Sequence, residues 1–303
     1  KQNNMFLNLS NQNKAYIFAG VVIFFWSTVA TAFKLALVYL EPIALVLYST
    51  FFSVIVLFII TMMQDKLKLI KGFSKSDLLL CAFLGFLNPC LYYILLFKGY
   101  DILPAQEAMV INFSWPIMII ILSIPILKQK IDIKTFLAII ICYLGVVVIA
   151  SKGDVLSMHF ESPLGVGYIL ITTVVWSLFW LLNTKNTNDS VVSLFLIFLF
   201  SLPYIFLIAV LNDDLVIPSA RGLIGSAYIG LFEMGVSVVL WQLALKTSTT
   251  VSRVASLVFV TPFLSLLVLY FVLKEAILPS TIIGVILICL GLILQKYFSK
   301  KDS

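Results

Sequence analysis

The chain consists of long apolar runs separated by short polar segments, and each run is long enough to be a membrane-spanning helix. Spanning helices need about 17–25 mainly apolar residues, and the runs lack the alternation expected of barrel strands. Ten spans are predicted, at about Ala15–Phe33, Pro42–Met63, Asp77–Phe97, Pro104–Leu127, Thr135–Ser151, Pro163–Leu182, Val191–Leu211, Ala220–Leu245, Val251–Leu273 and Ser280–Tyr297.

The last five spans repeat the pattern of the first five, 146 residues further along the chain. Phe113 and Pro116 return as Phe259 and Pro262, and Gly145 returns as Gly291. Because five is an odd number, the second half must cross the membrane upside down relative to the first. Inverted repeats of this kind are typical of transporters, whose solute site lies near the midplane between the halves.

The pattern predicts an all-α polytopic membrane protein with ten transmembrane helices in two inverted five-helix repeats. Both termini are predicted to be cytoplasmic, because fifteen of the 20 Lys and Arg residues then lie on the inner side. The predicted organisation is a cytoplasmic N-terminal segment (1–14), a first repeat (15–151), an outer connecting loop (152–162), a second repeat (163–298) and a cytoplasmic tail (299–303).

Composition excludes a soluble domain and gives no sign of enzyme chemistry. Hydrophobic residues make up 62% of the chain and charged residues 11%, against about 45–50% and about 25% in soluble proteins. The net charge of +6 comes from short basic loops, so it indicates orientation and not nucleic-acid binding. Cys81, Cys90, Cys142 and Cys289 lie in apolar runs, and the one His, His159, lies in a loop. We therefore predict no disulfide, metal, cofactor or catalytic site.

Glu233 is the strongest single indication of function, because it lies near the centre of the eighth span. An acid at the bilayer centre costs about 2.5–3.5 kcal/mol on insertion scales, so such residues usually face a cavity or a partner. Burial disfavours the charged form, so Glu233 is predicted to carry a proton or to neutralise a solute amine. A structural alternative is a protonated Glu233 that bonds a neighbouring carbonyl or Ser237, which lies one turn further on the same helical face.

Three charged residues near the ends of spans are predicted to gate or couple transport. Glu107 and Lys34 lie at similar depth near the outer side, where the pair would form an outer gate or a structural clamp. Arg253 is the repeat counterpart of Glu107 and would act near the inner side, unless it is only a positive-inside residue.

The fourth span and the aromatic residues near the membrane centre are predicted to line the solute site. Pro116 and Pro262 are predicted to kink the two matched helices. Aromatic rings suit flat, aromatic or cationic solutes, although packing in the core is the alternative for each ring. The predicted solute-binding residues are Trp26, Tyr48, Tyr92, Asn112, Trp115, Trp176, Glu233, Ser237 and Trp241.

The fifth and tenth spans carry mostly Ile, Leu, Val and Gly, with Gly145 and Gly291 matched and Gly284 on the same span as Gly291. They are predicted to be peripheral packing helices or a homodimer face, because small residues permit close approach.

The same residues give the chain a resemblance to the drug/metabolite transporter superfamily, specifically to its EamA-type branch. The resemblance covers the ten spans, the two halves, Trp26 followed eight residues later by Lys34, and the matched Pro116 and Pro262. The turns Leu127-Lys128-Gln129 and Leu273-Lys274-Glu275 also fit, although the family usually has an acid at Gln129. Within the branch, the bacterial aromatic amino-acid exporters are similar at Tyr48-Ser49, Gln106-Glu107, Asn112-Phe113 and Trp115-Pro116.

This resemblance implies a multi-pass carrier of the bacterial cytoplasmic (inner) membrane that works by alternating access. The leading hypothesis is a secondary transporter that exports amino acids, aromatic or other neutral ones, or related small metabolites, with the proton as a candidate coupling ion. The alternative is a carrier for organic cations or a nucleoside-type metabolite such as S-adenosylmethionine, which a central acid among aromatic rings would suit.

Overall fold

The computed structural model of the protein describes residues 10–127, 133–155, 162–183, 186–248, 254 and 257–299. Within these residues, ten helices cross back and forth between two sides. We call the side near Ser10 and Ser299 the inner side and the opposite side the outer side. The helices are α1 (Asn11–Leu37), α2 (Pro42–Met63), α3 (Lys75–Ile102), α4 (Ala105–Asn112 and Trp115–Leu127), α5 (Ile133–Ala150), α6 (Pro163–Asn183), α7 (Ser190–Leu211), α8 (Ala220–Thr247), α9 (Thr261–Leu273) and α10 (Pro279–Ser299).

The predicted helical membrane fold is confirmed. Among the described residues, seven helices (α1–α4 and α6–α8) are long and apolar enough to cross a bilayer, and α5, α9 and α10 contain shorter apolar stretches. Their outward faces carry large exposed apolar side chains, such as Phe24, Leu144 and Phe271. Lipid is the solvent that such faces require, because water would penalise them.

Three of the described helices, α3, α4 and α8, depart from regular α-helical geometry part-way across the membrane, and a 3₁₀ turn precedes α9. Helix α3 contains the π-helical turn Phe86–Leu91, in which Asn88 lies outside the helical region at φ −146° and ψ 120°. Helix α8 contains the π-helical segment Ile229–Val236 at the corresponding place in the second half. Single π-helical turns often mark functional sites.

The breaks in α4 and α9 match each other and lie just before the prolines that predicted them. Helix α4 stops at Asn112 and restarts at Trp115, while a 3₁₀ turn, Val258–Val260, precedes the start of α9 at Thr261. Pro116 and Pro262 are thus each the second residue of a helical piece. Proline is tolerated there because the first-turn amides have no acceptor within the helix.

Serine hydroxyls bond the backbone carbonyls at these irregular places. Ser53 of α2 donates to the carbonyl of Met234 at 3.0 Å, and Ser177 of α6 donates to that of Trp115 at 3.2 Å. Ser237 donates to the carbonyl of Phe232 within α8. A bilayer supplies no water for such groups, so irregular backbone needs partners from the protein.

The two halves interlock, because α3 of the first half packs on α7 of the second and α8 of the second half packs on α2 of the first. Both contacts depend on a glycine against a facing backbone. A Cβ at Gly85 would clash with the carbonyl oxygen of Ile197, and a Cβ at Gly230 would clash with that of Ser49. Small residues at such crossings let membrane helices approach closely.

Helices α5 and α10 pack on each other within the chain. A Cβ at Gly145 would lie 2.7 Å from the carbonyl oxygen of Gly284, and a Cβ at Gly291 would lie 2.8 Å from that of Ala138. The glycine faces that predicted either peripheral packing or a homodimer therefore serve packing inside one chain. The homodimer stays a prediction, and it would have to use other faces of these helices.

An ion pair joins the two halves at the inner side. Lys66, after α2, lies 2.9 Å from Asp189, which also caps the start of α7 by accepting from the amides of Val191 and Val192. Burial alone would raise the pKa of Asp189, but the hydrogen bonds from Lys66 and from these amides hold the pKa below its ordinary value. Asp189 is therefore charged at neutral pH.

Replacing Gly85 with Ala is expected to destabilise the protein by about 1–3 kcal/mol, the usual cost of overpacking. The new methyl group would meet the α7 backbone, which cannot rotate away as a side chain can. Thermal unfolding in detergent measures the effect. Gly20→Ala is the matched control, since a Cβ there has no atom within 4 Å; equal unfolding temperatures for both variants would contradict the packing argument.

Candidate functional site

Two adjoining cavities lie between the halves and meet at a layer of three tryptophans. The outer cavity has a volume of about 80 Å³ and the inner cavity one of about 270 Å³. Trp26 of α1, Trp115 of α4 and Trp176 of α6 line both cavities. Cavities therefore lie where the solute site was predicted, and these three residues are common to both of them.

All five tryptophans of the chain line the inner cavity. The ring of Trp26 lies 5.4 Å from that of Trp241, and the ring of Trp176 lies 5.8 Å from that of Trp180 and 6.4 Å from that of Trp115. Ile119, Leu181 and Leu245 complete the wall. Such a wall favours flat apolar groups and, through ring quadrupoles, cations.

Glu233 lines the outer cavity and is held by Tyr93. The Tyr93 hydroxyl donates to Oε1 of Glu233 at 3.1 Å. The other oxygen, Oε2, is buried and has no hydrogen-bond partner among the described residues, and the same is true of Nε1 of Trp176. One cavity thus offers a carboxylate acceptor and an indole donor, both without partners in the described protein.

A second polar group, made by Thr172, Asn112 and Tyr92, connects the halves across the outer cavity. Thr172 of α6 donates to Oδ1 of Asn112 at 3.1 Å, and Nδ2 of Asn112 donates to the Tyr92 hydroxyl at 3.3 Å. The Tyr92 ring in turn packs 4.7 Å from that of Trp176. These hydrogen bonds fix the side chain of Asn112 at the point where α4 is interrupted.

Equivalent positions of the two halves line the outer cavity, but the polar side chains at these positions are not repeated. Tyr92 and Val238 are repeat partners, as are Asn112 and Val258, and all four residues line the cavity. In both pairs the first half supplies the polar residue and the second half a valine. Glu233 reverses the pattern, since its partner, Leu87, is apolar.

The cavity has an unbalanced charge. Among the described residues that line the two cavities, Glu233 is the only acid, and Lys and Arg are absent. Within the described chain, a positive group on a solute would find a counter-charge there and a negative group would not.

The structure brings most of the predicted solute-binding residues together and separates two. Trp26, Tyr92, Asn112, Trp115, Trp176 and Glu233 line the outer cavity, and Trp241 lines the inner one. Tyr48 lines neither, because its hydroxyl donates to the carbonyl of Val216 in the outer loop before α8, at 2.6 Å. Ser237 lines neither, because it is buried and bonds the α8 backbone, not Glu233.

The predicted pair of Lys34 and Glu107 is replaced by other contacts. Lys152, after α5, lies 3.8 Å from Glu107, while Lys34 donates to the carbonyl of Asp101 at 3.4 Å. The partner of Glu107, in the first turn of α4, is thus the lysine that follows α5 and not the predicted Lys34. Arg253, the predicted inner gate, lies outside the described residues.

Glu275, in the turn between α9 and α10, lies close to the outer end of α4. Burial raises the pKa of this carboxyl group, and hydrogen bonds from the backbone of Gln106 and Ala105, together with the charge of Lys34, act in the opposite direction. The turn therefore presents an acid to the start of α4, where the helix dipole favours negative charge.

Sequence reasoning missed Tyr93, Thr172 and Gln106. Tyr93 was one of several aromatic residues in its span, and only its contact with Glu233 distinguishes it. Thr172 resembles an ordinary membrane threonine, because its hydroxyl also bonds the carbonyl of Ile169 at 2.6 Å in its own helix. Gln106 had a detectable signal, a neutral amide just inside a predicted span, but that signal could not identify its partners.

Comparisons with known proteins agree with this architecture. The model of the EamA-like transporter family matches residues 13–151 and 163–295, one match in each half. A protein of Archaeoglobus fulgidus described as an uncharacterized transporter is 27% identical, over 92% of this chain and 97% of its own length. Another with that description, from Clostridium kluyveri, is 25% identical over 96% and 95%. One crystal structure is 16% identical and superposes with a TM-score of 0.69 over 96% of this chain and 99% of its own, which shows the fold alone.

Tyr93→Phe is expected to destabilise the protein by about 1–3 kcal/mol, because the variant leaves both oxygens of a buried carboxyl without a described partner. In the Glu233→Gln background the same change should cost less, since a neutral amide is cheaper to leave unpaired. Thermal unfolding of the two single variants and the double variant measures the coupling. Tyr100→Phe, at a buried tyrosine of the same cavity, is the control; strictly additive effects would contradict the Tyr93–Glu233 bond.

Proposed function

The chain belongs to the EamA-like transporter family, whose members are transporters and not enzymes, and from that premise we propose that it is a secondary transporter for amino acids, aromatic or other neutral ones, or related small metabolites. It works by alternating access in the bacterial cytoplasmic membrane, in the export direction. The observation that carries the solute class is the cavity between the halves, which combines aromatic walls with one acid.

The solute is held at two kinds of contact. Its ammonium group binds Oε2 of Glu233, which has no described protein partner, and an acceptor group on the solute takes the indole N–H of Trp176. The apolar part of the solute packs on the tryptophan rings of the inner cavity. Desolvated polar groups of this kind discriminate strongly, because a solute that lacks the partner leaves them unpaired.

Alternating access follows from the repeat and from the matched breaks. The piece of α4 that begins at Trp115, and α9, which begins at Thr261 after a 3₁₀ turn, can each tilt about the first turn, because the backbone ladder is interrupted there. In the described structure Phe33, Tyr100, Gln106 and Glu107 are all buried at the outer end, which is therefore closed. The three tryptophans shared by the cavities lie between that closed end and the larger inner cavity.

Glu233 also supplies the coupling. A proton and a solute amine compete for the same carboxylate, so binding of one releases the other, and proton exchange for solute requires no second site. Glu107, Lys34 and Arg253 keep the role of gating residues in this proposal, with Lys152 as the described partner of Glu107.

The second candidate function is a carrier for organic cations or a nucleoside-type metabolite such as S-adenosylmethionine. The unbalanced charge of the cavity favours it: among the described lining residues there is one acid and no base. A carboxylate on the solute would then be desolvated without a counter-ion, a cost that a cation avoids.

Flux of a matched series of solutes into proteoliposomes is expected to separate the candidates. Phenylalanine, phenylethylamine and 3-phenylpropionate share a ring and differ in their charged groups. Transport of phenylalanine supports the amino-acid proposal, and transport of phenylethylamine alone supports the cation carrier. 3-Phenylpropionate should be excluded in both cases, because it brings a second negative charge beside Glu233. Flux of the acid in preference to the other two would reject amine recognition, and protein-free liposomes are the control.

Glu233→Gln is expected to abolish the pH dependence of transport, because the amide cannot take up a proton. Solute exchange at equal pH should persist at reduced affinity, because an amide oxygen still accepts a hydrogen bond from an amine. Counterflow and pH-driven flux in proteoliposomes measure the two properties separately. Glu41→Gln, at an exposed acid before α2, is the matched control. A pH profile equal to that of the unmodified protein would exclude Glu233 as the coupling group.

A further inference from the structure

Gln106 connects the two halves at the outer end through three hydrogen bonds. Its Nε2 donates to the carbonyl of Ala276 at 2.7 Å. Its Oε1 accepts from the hydroxyl of Thr281 at 2.8 Å and from the amide of Leu278 at 3.3 Å. The residue is only 3% exposed. A buried amide side chain that satisfies both of its ends across an interface forms a strong geometric constraint.

The partners of Gln106 all belong to the other half of the protein. Gln106 lies in the first turn of α4, whereas Ala276, Leu278 and Thr281 lie in the turn after α9 and the first turn of α10. The same α4 carries Asn112 and Trp115 into the cavities, one to three turns further in. Any separation of α4 from the α9–α10 turn therefore breaks these bonds and moves the cavity wall.

Other polar groups also lie at the outer end of α4. The residue that precedes the helix, Pro104, provides no side-chain cap. Glu107, next to Gln106, pairs with Lys152 of its own half at 3.8 Å, so this pair does not join the halves. The bonds of Gln106, and those of the Ala105 and Gln106 amides to the Glu275 carboxyl, are polar contacts of this turn with the second half.

We propose that Gln106 is the latch of the outer gate: its bonds to the α9–α10 turn hold α4 in place when the outer side is closed, and they break when that side opens. The proposal rests on alternating access, but it is independent of the identity of the solute. It adds Gln106 to the outer gating residues that the sequence suggested, Lys34 and Glu107.

Access of an outer reagent to the cavity tests the latch without any solute. Met109 lines the outer cavity on α4, one turn inward from Gln106, and is 4% exposed in the described structure. The reporter is Met109→Cys in a background where the four native cysteines, all buried and free, are replaced by serine. A membrane-impermeant maleimide, added to the outer side of oriented vesicles, then labels the reporter only when the outer side opens.

Thr281→Val removes one of the three bonds with little change of shape and is expected to raise the labelling rate about threefold to tenfold. Gln106→Leu removes all three bonds and should raise the rate further. The near-isosteric Thr281→Val keeps the test valid if larger changes reduce folding.

The control is Gln242→Leu, which removes a glutamine from α8 at a place remote from the outer turn. An increase of labelling for Thr281→Val and Gln106→Leu, with none for Gln242→Leu, supports the latch. Unchanged labelling in Thr281→Val and Gln106→Leu would overturn it, and so would an equal increase in Gln242→Leu, which would indicate general loosening. Neither result would alter the flux experiment, so failure of the latch and failure of the proposed function can be told apart.

Discussion

The absence of water in the bilayer core is the constraint on which this structure depends. Every interrupted helix exposes carbonyls that lipid cannot satisfy, so α3, α4, α8 and the turn before α9 can depart from α-helical geometry only where the protein supplies partners. Ser53 and Ser237 supply hydroxyls to carbonyls of α8, and Ser177 supplies one to a carbonyl of α4. The irregular backbone is thereby confined to the interface between the halves, and the cavities lie in that interface.

Close packing of backbones determines how the halves meet. Gly85 on α3 and Gly230 on α8, the matched helix of the second half, bring α3 onto α7 and α8 onto α2. This exchange of neighbours makes each half incomplete without the other. It also brings residues of both halves to the cavity, so that a relative movement of the halves changes the shape of the site.

The scaffold is symmetric, but the chemistry that it carries is not. The repeat places Tyr92 opposite Val238 and Asn112 opposite Val258 in one cavity, while Glu233 has only Leu87 as its counterpart. A symmetric pair of acids would repel each other at the midplane. One acid among aromatic rings instead makes the cavity suited to a positively charged group. The polar contacts at the ends differ too, with an ion pair of Lys66 and Asp189 on the inner side and a neutral amide, Gln106, on the outer side.

The sequence by itself determined the membrane class, the spans, the inverted repeat and seven residues that line the cavities. These properties depend on the length of the apolar runs, on the offset between the halves and on the cost of polar groups in lipid. All three can be read from the order of residues along the chain. Only the tertiary structure decided which polar residues meet. In the structure, Glu233 accepts a hydrogen bond from Tyr93 and not from Ser237, and Glu107 pairs with Lys152 and not with Lys34. Tyr48 bonds the outer loop and does not line the cavities. Helical periodicity indicates which residues share a face of one helix, but contacts between helices depend on crossing angles and on breaks such as that at Phe113–Ser114. The stretch from Gln106 to Pro116 illustrates both limits: its polar residues predicted a functional helix, and the fold alone showed that Gln106 joins the halves.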